Sequence, residues 1–152
     1  MLDIQVILLG DDLGISRKSV DFLLPDCEAV ESNANGVVSI AREDGCPLIH
    51  VVSPGSLMLP GFYNAAITTL EHTKKDYVFC RCMAVDKVIS TNRFEDILVF
   101  SQMVVRRWVL QELSDECSDL VELFDKVVSE YRGEEIPHVL CVSFANNGDN
   151  NE

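Results

Sequence analysis

The feature that most constrains this chain is a repeated alternation between continuous apolar runs and segments with apolar residues at helical spacing. IQVILLG is such a run and ends in Gly, as expected for a strand buried on both faces, and PLIHVV and DYVFCRCMAV are similar. Between them, apolar side chains recur at helical spacing, as over 62–70. This alternation predicts a three-layer α/β fold, in which helices flank a mostly parallel sheet.

The same patterns predict the order of the elements. Strands are expected at 4–10, 27–30, 47–52, 76–85, 97–105 and 138–144. Helices are expected at 16–24, at 37–43, from Pro60 onward, from about 106 and at 119–131, with a loop or hairpin at 86–95. The length suits one domain, 1–145, followed by a disordered polar tail at 146–152.

The composition indicates the class of protein, its location and the state of its cysteines. With 47% apolar and 24% charged residues and no apolar run near the length of a membrane span, we expect a soluble protein without a membrane span. The first residues lack a secretory leader pattern, which indicates a cytoplasmic location. The six cysteines are scattered in apolar runs, so reduced, buried thiols are expected. Cys80 and Cys82 have no second pair at zinc-finger spacing, and no metal site is predicted.

The net charge of −13 argues against a nucleic-acid partner, because phosphate binding depends on clustered Lys and Arg. Nine carboxylates lie between Glu112 and Glu135, against only Lys126 and Arg132. This stretch is either a solvated surface, a docking surface for a protein partner with a basic surface, or a mimic of a nucleic-acid backbone.

Ligands of open α/β sheets bind beyond the carboxyl ends of the strands. After the first strand come Asp11 and Asp12, which could bind a sugar or ribose hydroxyl or a base edge, or could cap the following helix. After the 47–52 strand comes the uncharged turn Ser-Pro-Gly-Ser at 53–56.

Four segments, in order over 4–131, resemble the GT-A-fold glycosyltransferases of the family 2 type. VILLGDDLGISRKS is similar to their strand and Asp-Asp-Gly-Ser turn, and HVVSPGSLMLPGFY to the strand with the Asp-x-Asp metal motif and the Pro-Gly-Phe after it. MVVRRWVLQEL is similar to their Met-x-x-Arg-Arg segment. In NANGVVSIAREDG, the residues in step with the family are Asn35, Gly36, Ala41, Arg42 and Gly45. The resemblance implies a GT-A-like fold and a nucleotide-sugar site containing Asp11, Asp12, Arg42, Ser53 and Ser56.

This chain departs from the family pattern in the residues that bind the metal and in the strand at its start. Where the family has acidic metal ligands, this chain has Ser53, Gly55 and Ser56, so no cofactor is expected, and Mn²⁺ or Mg²⁺ would be needed only if the donor site functions. The family's first strand is missing, which would leave a sheet edge beside the 4–10 strand that must be paired, covered or blunted. A homodimer, through that edge or through the apolar side of a helix, is one consequence that this would allow. Asp119 falls where the family has its catalytic base, and it also suits a helix N-cap.

Three functions remain open at this point. The first is a truncated, degenerate glycosyltransferase-like domain without sugar transfer, which acts as a binding or interaction module. The second is an active, metal-independent transferase with a nucleotide-sugar donor, in which Asp11 or Asp12 binds the nucleotide and Asp119 is the base. The third is a small acidic module that docks on a basic partner.

Overall fold

The predicted alternation of strands and helices is present in the structure. A computed structural model describes residues 2–10, 14–84, 87–89, 100–117 and 119–144. The strands are β1 Ile4–Leu9, β2 Val30–Ser32, β3 Leu48–Val52, β4 Ser56–Met58, β5 Tyr77–Ala84, β6 Lys87–Ile89, β7 Met103–Arg106 and β8 Gly133–Ser143. The helices are α1 Gly14–Leu23, α2 Ala34–Arg42, α3 Phe62–His72, α4 Arg107–Leu113 and α5 Leu120–Glu130, and a short 3₁₀ helix, Phe100–Gln102, precedes β7.

Within the described ranges the strands form one sheet, in the order β2-β1-β3-β7-β5-β8-β4, and β6 pairs with β5. β1, β2, β3, β5 and β8 run in one direction, whereas β7 and β4 run in the other. The sheet is therefore mostly parallel, as predicted. The carboxyl ends of β1, β3, β5 and β8 meet at one edge, which is where a ligand site is expected.

The expected free edge beside the first strand is absent, and that expectation is wrong. β1 pairs in parallel with β2 on one side and with β3 on the other, so that Ile7 lies between Val30 and Val51. β2 and β4 stand at the two ends of the strand order. A homodimer through β1 has no basis in this topology, because the backbone groups of that strand are already paired.

Helices cover both faces of the sheet. α2, α4 and α5 pack against one another, α1 packs against β4, and α3 packs against β5 and β8. The chain crosses from β1 to β2 in one direction and from β2 to β3 in the other, so right-handed connections put α1 and α2 on opposite faces. The result is the predicted three-layer arrangement.

Two consecutive arginines, Arg106 at the end of β7 and Arg107 at the start of α4, each bond to the end of another helix. Arg106 donates from Nη2 to the carbonyl of Leu70 in α3 at 2.6 Å. Arg107 donates from Nη1 to the carbonyls of Ile40 and Glu43, at the end of α2, at 2.8 Å each. Each guanidinium thus satisfies carbonyls that a helix C-terminus leaves without partners.

Several element boundaries differ from the predicted ones. β2 begins at Val30 rather than at Cys27, and β8 begins five residues before His138, the predicted start. The three-residue strand β4 was not predicted. The hairpin alternative for 86–95 holds for β6, and the rest of that segment lies outside the described residues, as does the predicted tail at 146–152.

The core lies on both faces of the central strands. The β1 side chains Val6, Ile7 and Leu8 are fully buried, as are most of those in β3 and β7. All six cysteines are free thiols, and burial raises the pKa of Cys80 to about 12. Among the helices of the described ranges, none has both the length and the apolar character needed to cross a bilayer.

Candidate functional site

The turn at 53–56 lies at the carboxyl edge of the sheet, and its hydroxyl groups face inward. Ser53 is 9% exposed and Ser56 is 0% exposed. Ser53 Oγ accepts a hydrogen bond from the Phe100 backbone N–H at 3.2 Å, and Ser56 Oγ accepts one from the Ser101 hydroxyl at 2.9 Å. Both serines are therefore engaged within the protein at the position where the resemblance implies donor-site contacts.

Helix α1 adds two more serines to this edge. Ser16 Oγ donates to the Ser53 carbonyl at 3.2 Å and accepts from the Ser56 N–H at 3.0 Å. Ser19 Oγ accepts from the Met58 N–H at 3.1 Å, which fastens β4 to α1. We call Ser16, Ser19, Ser53, Ser56 and Ser101 the serine cluster. It joins α1, the turn, β4 and the 3₁₀ helix through short, uncharged hydroxyl side chains.

A buried histidine continues this network beneath the turn. His50 is 0% exposed, and its Nε2 lies 2.7 Å from the Ser101 carbonyl, which can only accept, so Nε2 carries the proton. Nδ1 then accepts from the Tyr63 hydroxyl at 2.8 Å. Burial lowers the pKa of His50 to about 4, and the bond to the Ser101 carbonyl opposes part of that shift. The imidazole is neutral, and both its nitrogens are used to hold α3 and the 3₁₀ helix on β3.

Two buried oxygens near this edge lack partners within the described part of the chain. They are the hydroxyl of Ser143, whose residue pairs with Ser56 across β4 and β8, and Gln102 Oε1. The other side of the same amide is satisfied, because Gln102 Nε2 donates to the Cys80 carbonyl at 2.9 Å. These two oxygens are available to a bound water or to a small polar ligand.

At this edge, the serine cluster and the neighbouring His50 consist of neutral hydrogen-bonding groups. The serine cluster and His50 offer hydroxyls, amides and an imidazole, whereas Mg²⁺ and Mn²⁺ are held mainly by carboxylates. Residues 2–10, 14–84, 87–89, 100–117 and 119–144 contain no group of three or more metal-ligating side chains placed to hold an ion. Asp11 and Asp12, the predicted carboxylates of this edge, lie outside the described residues.

The other predicted site residues within the described ranges, Arg42 and Asp119, form contacts at helix ends. Arg42, at the end of α2, donates to the Ser114 carbonyl and to Asp115, at 3.0 Å each. This contact lies near the amino ends of the parallel strands, because α2 ends shortly before β3 begins, so Arg42 is separated from Ser53. Asp119 is the N-cap of α5, and its carboxylate accepts from the Glu122 N–H at 2.8 Å. The N-cap alternative for Asp119 is therefore confirmed.

The sequence analysis missed a cavity of about 570 Å³ at the amino ends of the strands, opposite the serine cluster. Five carboxylates lie on its lining, together with the thiols of Cys27 and Cys46 and aliphatic side chains from α1 and β1. The carboxylates are Asp3, Asp26, Glu28, Glu43 and Asp44. They come from three separate segments of the chain, so no local motif could have indicated that they meet.

Several solved structures are similar to this fold. The 2-C-methyl-D-erythritol 4-phosphate cytidylyltransferase from Thermus thermophilus has 12% identity and a TM-score of 0.61, and the match covers 98% of this chain and 95% of that one. Residues 1–349 of S. aureus TarS, in complex with UDP-GlcNAc, have 10% identity and a TM-score of 0.65, and the match covers 97% of this chain and 60% of that one. The inositol-1-phosphate CTP transferase from T. maritima has 11% identity and a TM-score of 0.53, with 95% and 71% covered.

Identities of this size establish the fold alone. The chain has the GT-A-like fold of nucleotide-diphospho-sugar transferases, which is the fold implied by the sequence resemblance. No protein-family model matches the chain, and no curated protein does.

Proposed function

We propose that this GT-A-like domain does not transfer sugar and acts as a binding or interaction module. The observation that carries the proposal is the internal use of the Ser53 and Ser56 hydroxyls at the turn where the resembling enzymes hold their metal. Ser53 is 9% exposed and Ser56 is fully buried, so a ligand could reach both hydroxyls only by displacing groups that pack on them, including the Phe100 N–H and the Ser101 hydroxyl. A buried hydrogen bond left unmade costs about 1–3 kcal/mol.

Electrostatics supports the same proposal. A nucleotide diphosphate is strongly anionic, and its binding needs a cation or a cluster of basic groups. The serine cluster contains neither a basic side chain nor a carboxylate that would recruit a divalent cation, and the chain carries a net charge of −13. Arg42 and Asp119, two further residues implied by the resemblance, already serve as helix contacts, and Asp11 and Asp12 lie outside the described residues.

Thermal unfolding of the purified chain with UDP, GDP, CTP and the corresponding nucleotide-sugars, with and without Mn²⁺, tests the proposal. A ligand at a hundredfold excess over its dissociation constant stabilises a protein by about 2.7 kcal/mol, which is a readily measured rise in Tm. We expect no rise with any of these ligands. A Mn²⁺-dependent rise, confirmed by calorimetric titration at micromolar affinity, would show a working donor site and overturn the proposal.

A second candidate function is that of a metal-independent transferase, and the similarity to solved transferases is the reason to retain it. Of the solved structures named above, two are described as a cytidylyltransferase and a CTP transferase, and the third was solved in complex with UDP-GlcNAc. In this candidate Asp11 or Asp12 binds the nucleotide and Asp119 is the base. If any transfer or donor hydrolysis is measured, Asp119→Asn is the decisive variant. Asn is as good an N-cap as Asp, so the variant should keep α5 and lose only the base.

The control for that variant is Asp125→Asn, which removes an exposed carboxylate from the same helix. Turnover that falls at least a hundredfold in Asp119→Asn and stays unchanged in Asp125→Asn would support the second candidate. Equal turnover in both variants would exclude Asp119 as the base.

A further inference from the structure

Trp108 and Tyr131 form an exposed aromatic pair where α4 meets the end of α5. Trp108 is 47% exposed, and its ring lies edge to face with the ring of Tyr131, with centroids 5.8 Å apart and planes at 71°. Tyr131 packs against the core at its base and is the C-cap of α5. The pair is therefore anchored by Tyr131, while nearly half of Trp108 is exposed to solvent.

Carboxylates surround this pair. The Tyr131 hydroxyl donates to Glu112, which lies one turn after Trp108 on α4. Burial raises the pKa of Tyr131 above its usual value, and the hydrogen bond to Glu112 and the nearby charges of Glu130 and Glu116 raise it further. The hydrogen bond places the Glu112 carboxylate at the phenol, and the negative charges of Glu116 and Glu130 act on the same group.

The cations of this region do not balance its acidity. Lys126 lies 3.3 Å from Glu116 and 3.9 Å from Glu130, and its charge is shared between them. The stretch 112–135 carries nine carboxylates against Lys126 and Arg132. An exposed tryptophan within an acidic surface is complementary to a group that combines a flat face with positive charge.

We propose that the Trp108–Tyr131 surface docks an arginine side chain carried by a basic segment of a partner protein. The inference rests on the interaction role proposed above and names the surface and the partner chemistry for it. A guanidinium stacks on aromatic rings, pairs with carboxylates through two parallel hydrogen bonds and is more weakly hydrated than an ammonium group. Trp108 provides the ring, and Glu112 provides the carboxylate beside it.

The direct test uses the fluorescence of Trp108, which is the chain's single tryptophan. The probe is a hexa-arginine peptide with blocked termini, and the matched control is the hexacitrulline peptide, which has nearly the same shape and no charge. We expect a saturable change in Trp108 emission with hexa-arginine and none with hexacitrulline. The affinity should fall steeply between low salt and about 0.5 M NaCl, because exposed charges are then screened.

Variants locate the binding surface when affinity is measured by the anisotropy of a labelled hexa-arginine peptide. Trp108→Ala should weaken binding about five- to tenfold through loss of the cation–π contact. Val121→Ala is its control, because Val121 is 57% exposed on α5 and about 15 Å along the helix from Tyr131. Glu112→Gln should weaken binding severalfold more than Asp125→Asn, although both remove one negative charge.

The inference is overturned if hexacitrulline binds as hexa-arginine does, if Trp108→Ala binds as tightly as Val121→Ala, or if Glu112→Gln and Asp125→Asn weaken binding equally. The last result would mean that only the net charge attracts the peptide. This test is separate from the nucleotide titration. Mn²⁺-dependent nucleotide binding with Trp108-dependent peptide binding would overturn the proposed function alone, whereas the absence of both would overturn the docking surface alone.

Discussion

His50 is a titratable side chain that the fold keeps in its neutral form. Its two nitrogens are committed to the Tyr63 hydroxyl and the Ser101 carbonyl, and the ring is fully buried. Protonation would give Nδ1 a hydrogen that points at the Tyr63 oxygen and would place an uncompensated charge in the core. His50 thus joins β3, α3 and the 3₁₀ helix in its neutral form, and its protonation at low pH would weaken these contacts.

The stability of the protein should therefore fall between about pH 6.5 and pH 4. The pKa of His50 is lowered to about 4 from its usual 6.5, so in this window the unfolded chain binds a proton that the folded chain does not. The stabilising effect is complete above pH 6.5 and is lost toward pH 4, by at most about 1.4 kcal/mol per pH unit and about 3 kcal/mol in all. Urea unfolding followed by circular dichroism at pH 7.5, 6 and 5 measures this slope.

The control for this prediction is His138→Gln, because His138 is an exposed residue of β8. That variant should keep the slope between pH 6.5 and 5, whereas His50→Gln should be less stable at pH 7.5 and should show a flatter slope. If His50→Gln keeps the full slope of the unmodified chain, another group is responsible for it.

At the scale of elements, Arg106 at the end of β7 and Arg107 at the start of α4 connect this junction to two other helices. Arg106 bonds to the end of α3 and Arg107 to the end of α2, and Arg107 also donates to the side chain of Gln5 in β1. Only 4% of Arg107 is exposed. Removal of either side chain leaves helix carbonyls without partners in a partly or wholly buried place.

We expect Arg107→Ala to lower the free energy of unfolding by roughly 2–4 kcal/mol and Arg106→Ala by somewhat less, since charged hydrogen bonds are lost and buried carbonyls lose their donors. Arg17→Ala is the control, because Arg17 forms an exposed ion pair with Glu31 at 2.9 Å and should contribute less than about 1 kcal/mol. Chemical denaturation gives the magnitudes. Hydrogen exchange should quicken at the end of α2 in the Arg107 variant and at the end of α3 in the Arg106 variant, and uniform quickening in both would contradict separate caps.

The elements that the sequence predicted are those whose own residues carry a complete pattern. β1 and β3 have long apolar runs because they are buried on both faces, β5 has such a run although Met83 is exposed, and α5 has its apolar positions and its Asp119 cap within one segment. β4 has only three residues, too few to show a period, and the start of β8 contains Glu134, Glu135 and Pro137, which are poor strand signals. Those parts form because neighbouring strands provide hydrogen-bond partners.

The position of the turn at 53–56, at the carboxyl edge of the sheet, was predictable from the sequence, whereas the residues that close the turn were not. The rule that ligands bind beyond the carboxyl ends of parallel strands pointed to the turn at 53–56, and the uncharged turn pointed to a site without metal ligands. The closure of that turn depends on Ser16 and Ser101, which lie 37 and 48 residues from Ser53. Such contacts follow from the packing of α1 and the 3₁₀ helix, which no local pattern specifies.

At the scale of the whole molecule, charge is the dominant property. The 25 acidic residues exceed the 12 basic ones, and the described ion pairs between side chains join groups at the surface. The folded state holds a net charge of −13 in a smaller volume than the unfolded chain does, so repulsion between like charges opposes folding. The same field attracts a cationic partner, so one property weakens the fold and favours the proposed docking.

Salt should therefore stabilise the free protein while it weakens the docking of an arginine-rich peptide. The Debye length shortens from about 30 Å at 0.01 M salt to about 8 Å at 0.15 M, which screens repulsion across most of a domain of this size. Thermal unfolding at pH 7.5 should show Tm rising by several degrees over that range, equally for NaCl and KCl, since 1 kcal/mol shifts Tm by about 2–4 °C for a domain of roughly this length. A Tm that is flat or falls with salt would mean that the exposed ion pairs, rather than the excess of carboxylates, dominate the electrostatics of folding, and the acidic surface would then be a weaker attractant than the sequence indicates.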